Sequence, residues 1–244
     1  MLKLNQHQIS FGDRVLITNL SFELQPGDTV CILGRNGVGK SSLLKSFFNK
    51  NESIYWDNKS LSQYSKKYLS QHVSILRHGT RPAYDINVEE YIKLGRIPYT
   101  TYFKQSIKKE EYTSYLDILH IRHLLHKNTQ FLSDGEFQKV QIVRALVQDT
   151  PVILLDEPTS FLDFPSKIEL YRNLSRLSQQ MNKIILFSSH DIDMAWKFSD
   201  YTLILDGIGG YFFAKSSELS SKTLNQYFET DHFYFDDKSE YIIK

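Results

Sequence analysis

The stretch Gly34-Arg35-Asn36-Gly37-Val38-Gly39-Lys40-Ser41 constrains this chain more than any other feature. It is entered from the apolar run TVCIL (29–33) and leads into a helical pattern from about Lys40 to Phe48. A short continuous apolar run is the mark of a buried strand. Glycines let consecutive backbone N–H groups turn inward and approach an anion closely. A helix beginning near Lys40 presents the positive end of its dipole to the same place. Lys40 supplies a point charge for β- and γ-phosphates, the Ser41 hydroxyl suits Mg²⁺, and Ser42 adds a phosphate donor. The GxxxxGK[ST] spacing therefore predicts a polyphosphate cradle built from Gly34, Arg35, Asn36, Gly37, Val38, Gly39, Lys40, Ser41 and Ser42. The bland alternative is a glycine-rich turn that holds nothing.

A second feature is VILLDE (152–157), four apolar residues ending in two acids. Charge at the end of a buried strand costs several kcal/mol or more (roughly) unless it has partners or work. The C-terminal edge of a parallel sheet is where ligands bind. Asp156 is expected to hold Mg²⁺, through water or directly, and Glu157 to polarise an attacking water as general base. A strand that simply exits into solvent is the alternative.

The rest of the chain reads as alternating strand and helix. Residues 2–11 and 15–24 suit strands around Gly12-Asp13, and 53–56 and 73–76 are further strands. From about 87 to 149 only helical spacing is evident. Strand 152–156, helix 165–181, strand 184–189, a helix after His190 and strand 202–206 follow, which predicts a mostly parallel sheet with helices on both faces. HFYF and YII near the C-terminus suggest a small hairpin. With 29 basic and 28 acidic residues, composition makes no case for a nucleic-acid partner. The single cysteine, Cys31, excludes an internal disulfide and a multi-cysteine zinc site, and is expected to pack as a small hydrophobe. His120, His123 and His126 fit a solvated helix end better than a metal site. No run approaches 18 apolar residues, and MLKLNQHQIS lacks the form of a secretory signal, so a cytoplasmic location is expected.

Between the two phosphate-related motifs lies Leu132-Ser133-Asp134-Gly135-Glu136, followed by FQKVQIVRAL. Ser133 and Glu136 form an S-x-x-E capping box, and a capped helix N-terminus with a free hydroxyl can dock a phosphate. This segment resembles the LSGGQ signature of ABC-type ATPases. Ser160-Phe161-Leu162-Asp163 resembles the D-loop and His190 the H-loop histidine of that family, in order from about residue 2 to 214. The resemblance implies an α/β fold of the P-loop NTPase (RecA-like) kind. It has a mostly parallel sheet core, an N-terminal antiparallel β subdomain and an α-helical signature subdomain. It implies one domain over 1–244, with the helical part at about 79–149 and a tail at about 215–244. It further implies ATP and Mg²⁺, a second copy of the chain, and residues 132–136 acting on ATP of the opposite protomer. Asp163 belongs with the nucleotide site on this resemblance, Phe11 takes the place of the aromatic that stacks on adenine, and His190 contacts the γ-phosphate. Phe11 and His190 also have ordinary packing roles open to them, and for Arg144 a structural role is as good as a functional one. Two positions depart from the family: Asp134 stands where a second glycine is usual, and His78 fills the Q-loop slot, where the family's glutamine approaches the metal.

Leu94-Gly95-Arg96-Ile97-Pro98-Tyr99 resembles a segment of ATPases serving iron–siderophore, haem and cobalamin importers. That likeness implies transmembrane permease subunits touching residues near 79–104, a substrate-binding protein acting indirectly, and a peripheral position on the cytoplasmic face of the inner membrane. Tyr99, Tyr102, Phe103 and Lys104 are candidates for that contact, or for packing the insert. The alternative is a soluble ABC scaffold in a cytosolic assembly such as iron–sulfur cluster building.

Overall fold

The computed structural model describes residues 1–49, 52–77, 81–82, 85–99, 110–228, 230–236, 238 and 241–243. The alternating N-terminal pattern folds as β1 (Leu2–Phe11) and β2 (Arg14–Leu24), paired antiparallel across the Gly12-Asp13 turn. The apolar run TVCIL is β3 (Thr29–Leu33), every residue buried, and it feeds α1 (Lys40–Ser46). Then come β4 (Ile54–Trp56), β5 (Lys59–Ser60), α2 (Lys66–His72) and β6 (Val73–Leu76). Helices α3 (Val88–Lys93), α4 (Glu110–Ile118) and α5 (Asp134–Val147) precede β7 (Val152–Leu155). The chain continues through α6 (Phe164–Met181), β8 (Ile184–Ser188), β9 (Tyr201–Leu205) and β10 (Tyr211–Lys215). It ends with α7 (Ser221–Phe228) and the hairpin β11 (Phe233–Phe235) and β12 (Tyr241–Ile243).

Among the described residues, β2-β1-β4-β5 make an antiparallel sheet and β10-β9-β3-β8-β7-β6 make the central one. Every pairing in the central sheet is parallel except that of the edge strand β10 with β9. Burial alternates between two cores along these strands. Cys31, Ile153, Ile185 and Phe187 face the helices α3–α6, whereas Val30, Ile32, Val152 and Leu186 face the N-terminal sheet and α1. A sheet covered on both sides explains why its strands read as continuous apolar runs. Cys31 is fully buried, and burial pushes its thiol well above the ordinary range.

Several local expectations are adjusted. The first helix ends at Ser46 rather than Phe48, and the segment after His190 forms a 3₁₀ turn at Ala195–Phe198 rather than an α-helix. The LGRIPY segment is itself a 3₁₀ stretch, Leu94–Tyr99. A Cβ on Gly95 would stand 2.4 Å from the Arg144 carbonyl, so glycine here permits backbone contact with α5. Tyr99 is half-buried and donates to the Gln71 carbonyl at 3.1 Å, which makes it a packing residue rather than a freely exposed one. His120 stands against a carboxylate, Glu169, at 2.9 Å. No cluster of three metal-ligating side chains occurs among the described residues.

Candidate functional site

Neighbouring strands β3, β8 and β7 end at one edge of the sheet, and each delivers part of the site there. After β3 the chain turns through Gly34, Gly37 and Gly39, all with positive φ (149°, 79° and 111°). A Cβ at Gly34 would lie 2.7 Å from Val38 Cγ2 and 2.8 Å from the Leu205 carbonyl, so this turn requires glycine for space as well as conformation. Lys40 begins α1, is 5% exposed, and donates from Nζ to the Gly34 and Arg35 carbonyls at 2.8 and 3.2 Å. Burial lowers its pKa, against the opposing pull of Glu157 and Asp156. His190, after β8, brings Nδ1 to 3.5 Å from Lys40 Nζ.

Asp156 is 5% exposed and accepts from the hydroxyls of Ser41 and Ser188, both at 2.9 Å. Two hydroxyl donors account for a carboxylate that would otherwise be costly at this depth. Glu157 adopts a positive φ of 51°, rare for a residue with a side chain. Its N–H donates to Ser188 Oγ at 2.9 Å, and its carbonyl accepts from Gln138 Nε2 at 3.2 Å. The carboxylate meets His190 Nε2 at 2.5 Å through Oε1 and Ser160 Oγ at 3.1 Å through Oε2. Burial raises the Glu157 pKa, but the bond and charge of His190, with Ser160 and Lys40, outweigh it and leave the carboxyl below its ordinary range. An ionised carboxylate in contact with an imidazole is the state a general base requires.

Phe11, Arg14, Leu16, Asn36, Gly37, Gly39, Lys40, Ser41, Ser42 and Glu157 line one cavity of about 320 Å³. Phe11 is 79% exposed at its mouth, so its ring is not spent on packing. Thus the expected cradle, Phe11 and Glu157 come together, with Asp156 and His190 joined through Ser41, Glu157 and Lys40. Val38 is buried beneath the turn, while the Arg35 side chain points to solvent. Arg14 and Ser188 were not singled out in the sequence. Arg14 donates to the Gly207 carbonyl at 2.9 Å, a partner 193 residues away. The signal for Ser188 was a hydroxyl inside the otherwise apolar IILFS strand. His78 lies outside the described residues, as do Tyr102, Phe103 and Lys104.

The signature residues occupy a different place. Ser133 caps α5, accepting from the Glu136 N–H at 3.2 Å while Glu136 accepts from the Ser133 N–H at 2.8 Å. These bonds hold the Glu136 carboxyl below its ordinary range. Ser133, Asp134, Gly135 and Glu136 line a second cavity with Lys139, Phe161, Leu162 and Asp163. Leu132 is buried and anchors the turn. Asp163 caps α6 through the Ser166 N–H, so it stands beside the signature rather than in the chain's own phosphate cavity. One chain therefore carries two separate cavities, the phosphate turn at one and the capped signature helix at the other.

The ABC transporter family matches residues 17–160. An uncharacterized ABC transporter ATP-binding protein of Methanocaldococcus jannaschii is 33% identical over 211 residues, covering 82% of this chain and 71% of that protein. The iron(3+)-hydroxamate import ATP-binding protein FhuC of Bacillus subtilis is 30% identical over 210 residues, covering 84% and 78%. Among solved structures, an inward-facing ABC transporter described as of the metal-chelate type superposes with a TM-score of 0.79 at 23% identity, covering 99% of this chain and 94% of that one. With the phosphate turn, the acid pair and the capped signature helix in the order of that family, the chain belongs to the ABC transporter ATPases.

Proposed function

We propose that this chain is the ATP-hydrolysing subunit of an importer for a metal chelate, working as a pair of identical subunits beneath a separate permease. The observation that carries the catalytic part is the cluster Lys40–His190–Glu157 beside Ser41–Asp156 at one cavity. ATP enters with its adenine against Phe11 and its phosphates over residues 34–42. The backbone N–H groups and Lys40 Nζ take up the β/γ-phosphate charge. Ser41 and Asp156 offer hard oxygen donors that would hold Mg²⁺, which would supply positive charge against the phosphates. Glu157 orients water toward the γ-phosphorus and accepts its proton. His190 holds Glu157 through Nε2 and lies within reach of both Lys40 and the phosphate site.

The signature surface opens onto its own cavity, away from the chain's cradle. It therefore completes an ATP site only in another chain, which favours a dimer with two composite sites. No helix among the described residues is long and apolar enough to cross a membrane, so transport needs a partner that does. The importer reading draws on FhuC and on the LGRIPY segment. A polar cavity of about 410 Å³, lined by Ser70, Arg77, Tyr91, Gln141, Arg144 and Gln148 among others, lies between α3, α5 and β6 and is the proposed permease contact. Residues 1–244 serve as one ATPase domain, with the helical part at about 79–149.

Glu157→Gln is expected to lower the ATP hydrolysis rate by about 10²–10⁴-fold while nucleotide binding persists. Hydrolysis at the parental rate overturns the assignment. Co-purification with a polytopic membrane protein is expected of an importer subunit; a purely soluble assembly favours the scaffold reading.

A further inference from the structure

Asp134 opens α5 with its side chain 69% exposed, in the cavity shared with Ser133, Gly135 and Glu136. An acid in the first turn suits the helix dipole. It also faces the space into which a triphosphate must come if this surface docks a partner's ATP, and like charges repel there. Arg81, from the segment joining β6 to α3, reaches this carboxylate across 53 residues of sequence. Its Nη2 donates to Asp134 Oδ1 at 2.8 Å, and its Nη1 donates to the Thr129 and Gln130 carbonyls at 3.1 and 3.0 Å. Its Cζ also lies 5.3 Å over the Phe137 ring. A planar fork is needed to meet two carbonyls and a carboxylate together. A cation at a helix N-terminus opposes the dipole, so α5 stability alone does not account for the arrangement. What it does achieve is to cancel a negative charge on the phosphate-facing surface.

We propose that Arg81 is a positioning residue for ATP-driven pairing of two chains, acting through Asp134; this role rests on the partner-ATP dock assigned to Ser133–Glu136. Withdrawal of the guanidinium leaves Asp134 bare and disfavours closure over the partner's nucleotide.

The test uses the full chain in a Glu157→Gln background, where ATP is retained, with self-association measured by sedimentation in MgATP at low salt. Adding Arg81→Gln is expected to weaken pairing about tenfold, the effect of one partly screened charge at each of the two composite sites. Adding Asp134→Asn as well is expected to restore it, and raising the salt to narrow the difference. Arg81→Lys keeps the charge and is expected to retain most of the pairing. Nucleotide binding by the lone chain reports on folding. Undiminished pairing with Arg81→Gln overturns the proposal alone, as does failure of Asp134→Asn to restore it. If Arg81→Gln fails to fold, loss of pairing with Arg81→Lys overturns it. Absence of ATP-dependent pairing in the Glu157→Gln parent overturns both this proposal and the dock beneath it.

Discussion

Lys40 keeps a positive charge where little water reaches it, held by two carbonyls of the turn that precedes it. Those carbonyls and the nearby acids offset the desolvation, and a phosphate bound in the proposed cradle would supply the full counter-charge. Lys40→Ala should therefore weaken ATP binding by about 10–100-fold, the range of a charge-assisted hydrogen bond of ~1.5–3 kcal/mol. Unchanged affinity by calorimetry would remove the cradle assignment. Such residues were legible because their chemistry needs fixed offsets along the chain: glycines, then lysine, then serine. Arg81, Arg14 and Ser188 follow no such offset. Their partners are Asp134, Gly207 and Asp156, and nothing local in the sequence announces pairs so far apart. Gly135 owes its place to a close neighbour within the chain. A Cβ there would stand 2.9 Å from the Phe161 carbonyl, so it lets the signature meet the segment before Asp163.

Elements that bury a continuous apolar run, β3, β7 and β8, were legible to within a residue or two. The edge strand β10 was not, since its residues are half-buried or exposed and it lacks the pattern of a covered strand. The helical spacing after His190 yields only a short 3₁₀ turn, and ahead of it the Asp191 side chain enters a set of contacts with α6 and Thr159. It accepts from Lys167 at 2.7 Å, Tyr171 at 2.8 Å and Thr159 at 3.1 Å. Tyr171 also shares a hydrogen bond with Ser189 at 2.7 Å, so α6 braces both β8's exit and the segment leading to Ser160. Burial raises the Asp191 pKa, but Lys167 and these hydroxyls together bring it below the ordinary 3.8. The folded pKa is depressed, so this stabilisation is complete above about pH 4 and fades as pH falls through the folded value. Asp191→Asn should cost about 2 kcal/mol near neutral pH in denaturant unfolding, with the difference from the parent shrinking under acid. A difference independent of pH would mean that Asp191 does not act as an ion. Loss of the capping box by Ser133→Ala should cost α5 about 1 kcal/mol. If the parent pairs in ATP, that variant should also pair less well, while its own nucleotide binding stays intact.

At the scale of the whole molecule, the cradle and the signature belong to one chain yet open onto separate cavities. The proposed self-complementary dimer would resolve this, because a two-fold axis would set each cradle against the partner's signature. The arrangement predicts complementation between two crippled chains. Lys40→Ala removes a cradle but leaves its signature, and Ser133→Arg blocks a signature but leaves its cradle. Each variant alone lacks a complete site and should hydrolyse ATP at a negligible rate. In a mixed dimer, the cradle of the Ser133→Arg chain faces the signature of the Lys40→Ala chain, and one site of the two is whole. Equal mixing makes about half the dimers mixed, so about a quarter of the parental rate should return if the sites act independently. Titrating one variant into the other should give a maximum near equal amounts. A mixture as inactive as its components would show that no site is shared, and ATP turnover would then have to be assigned to a single chain acting by itself.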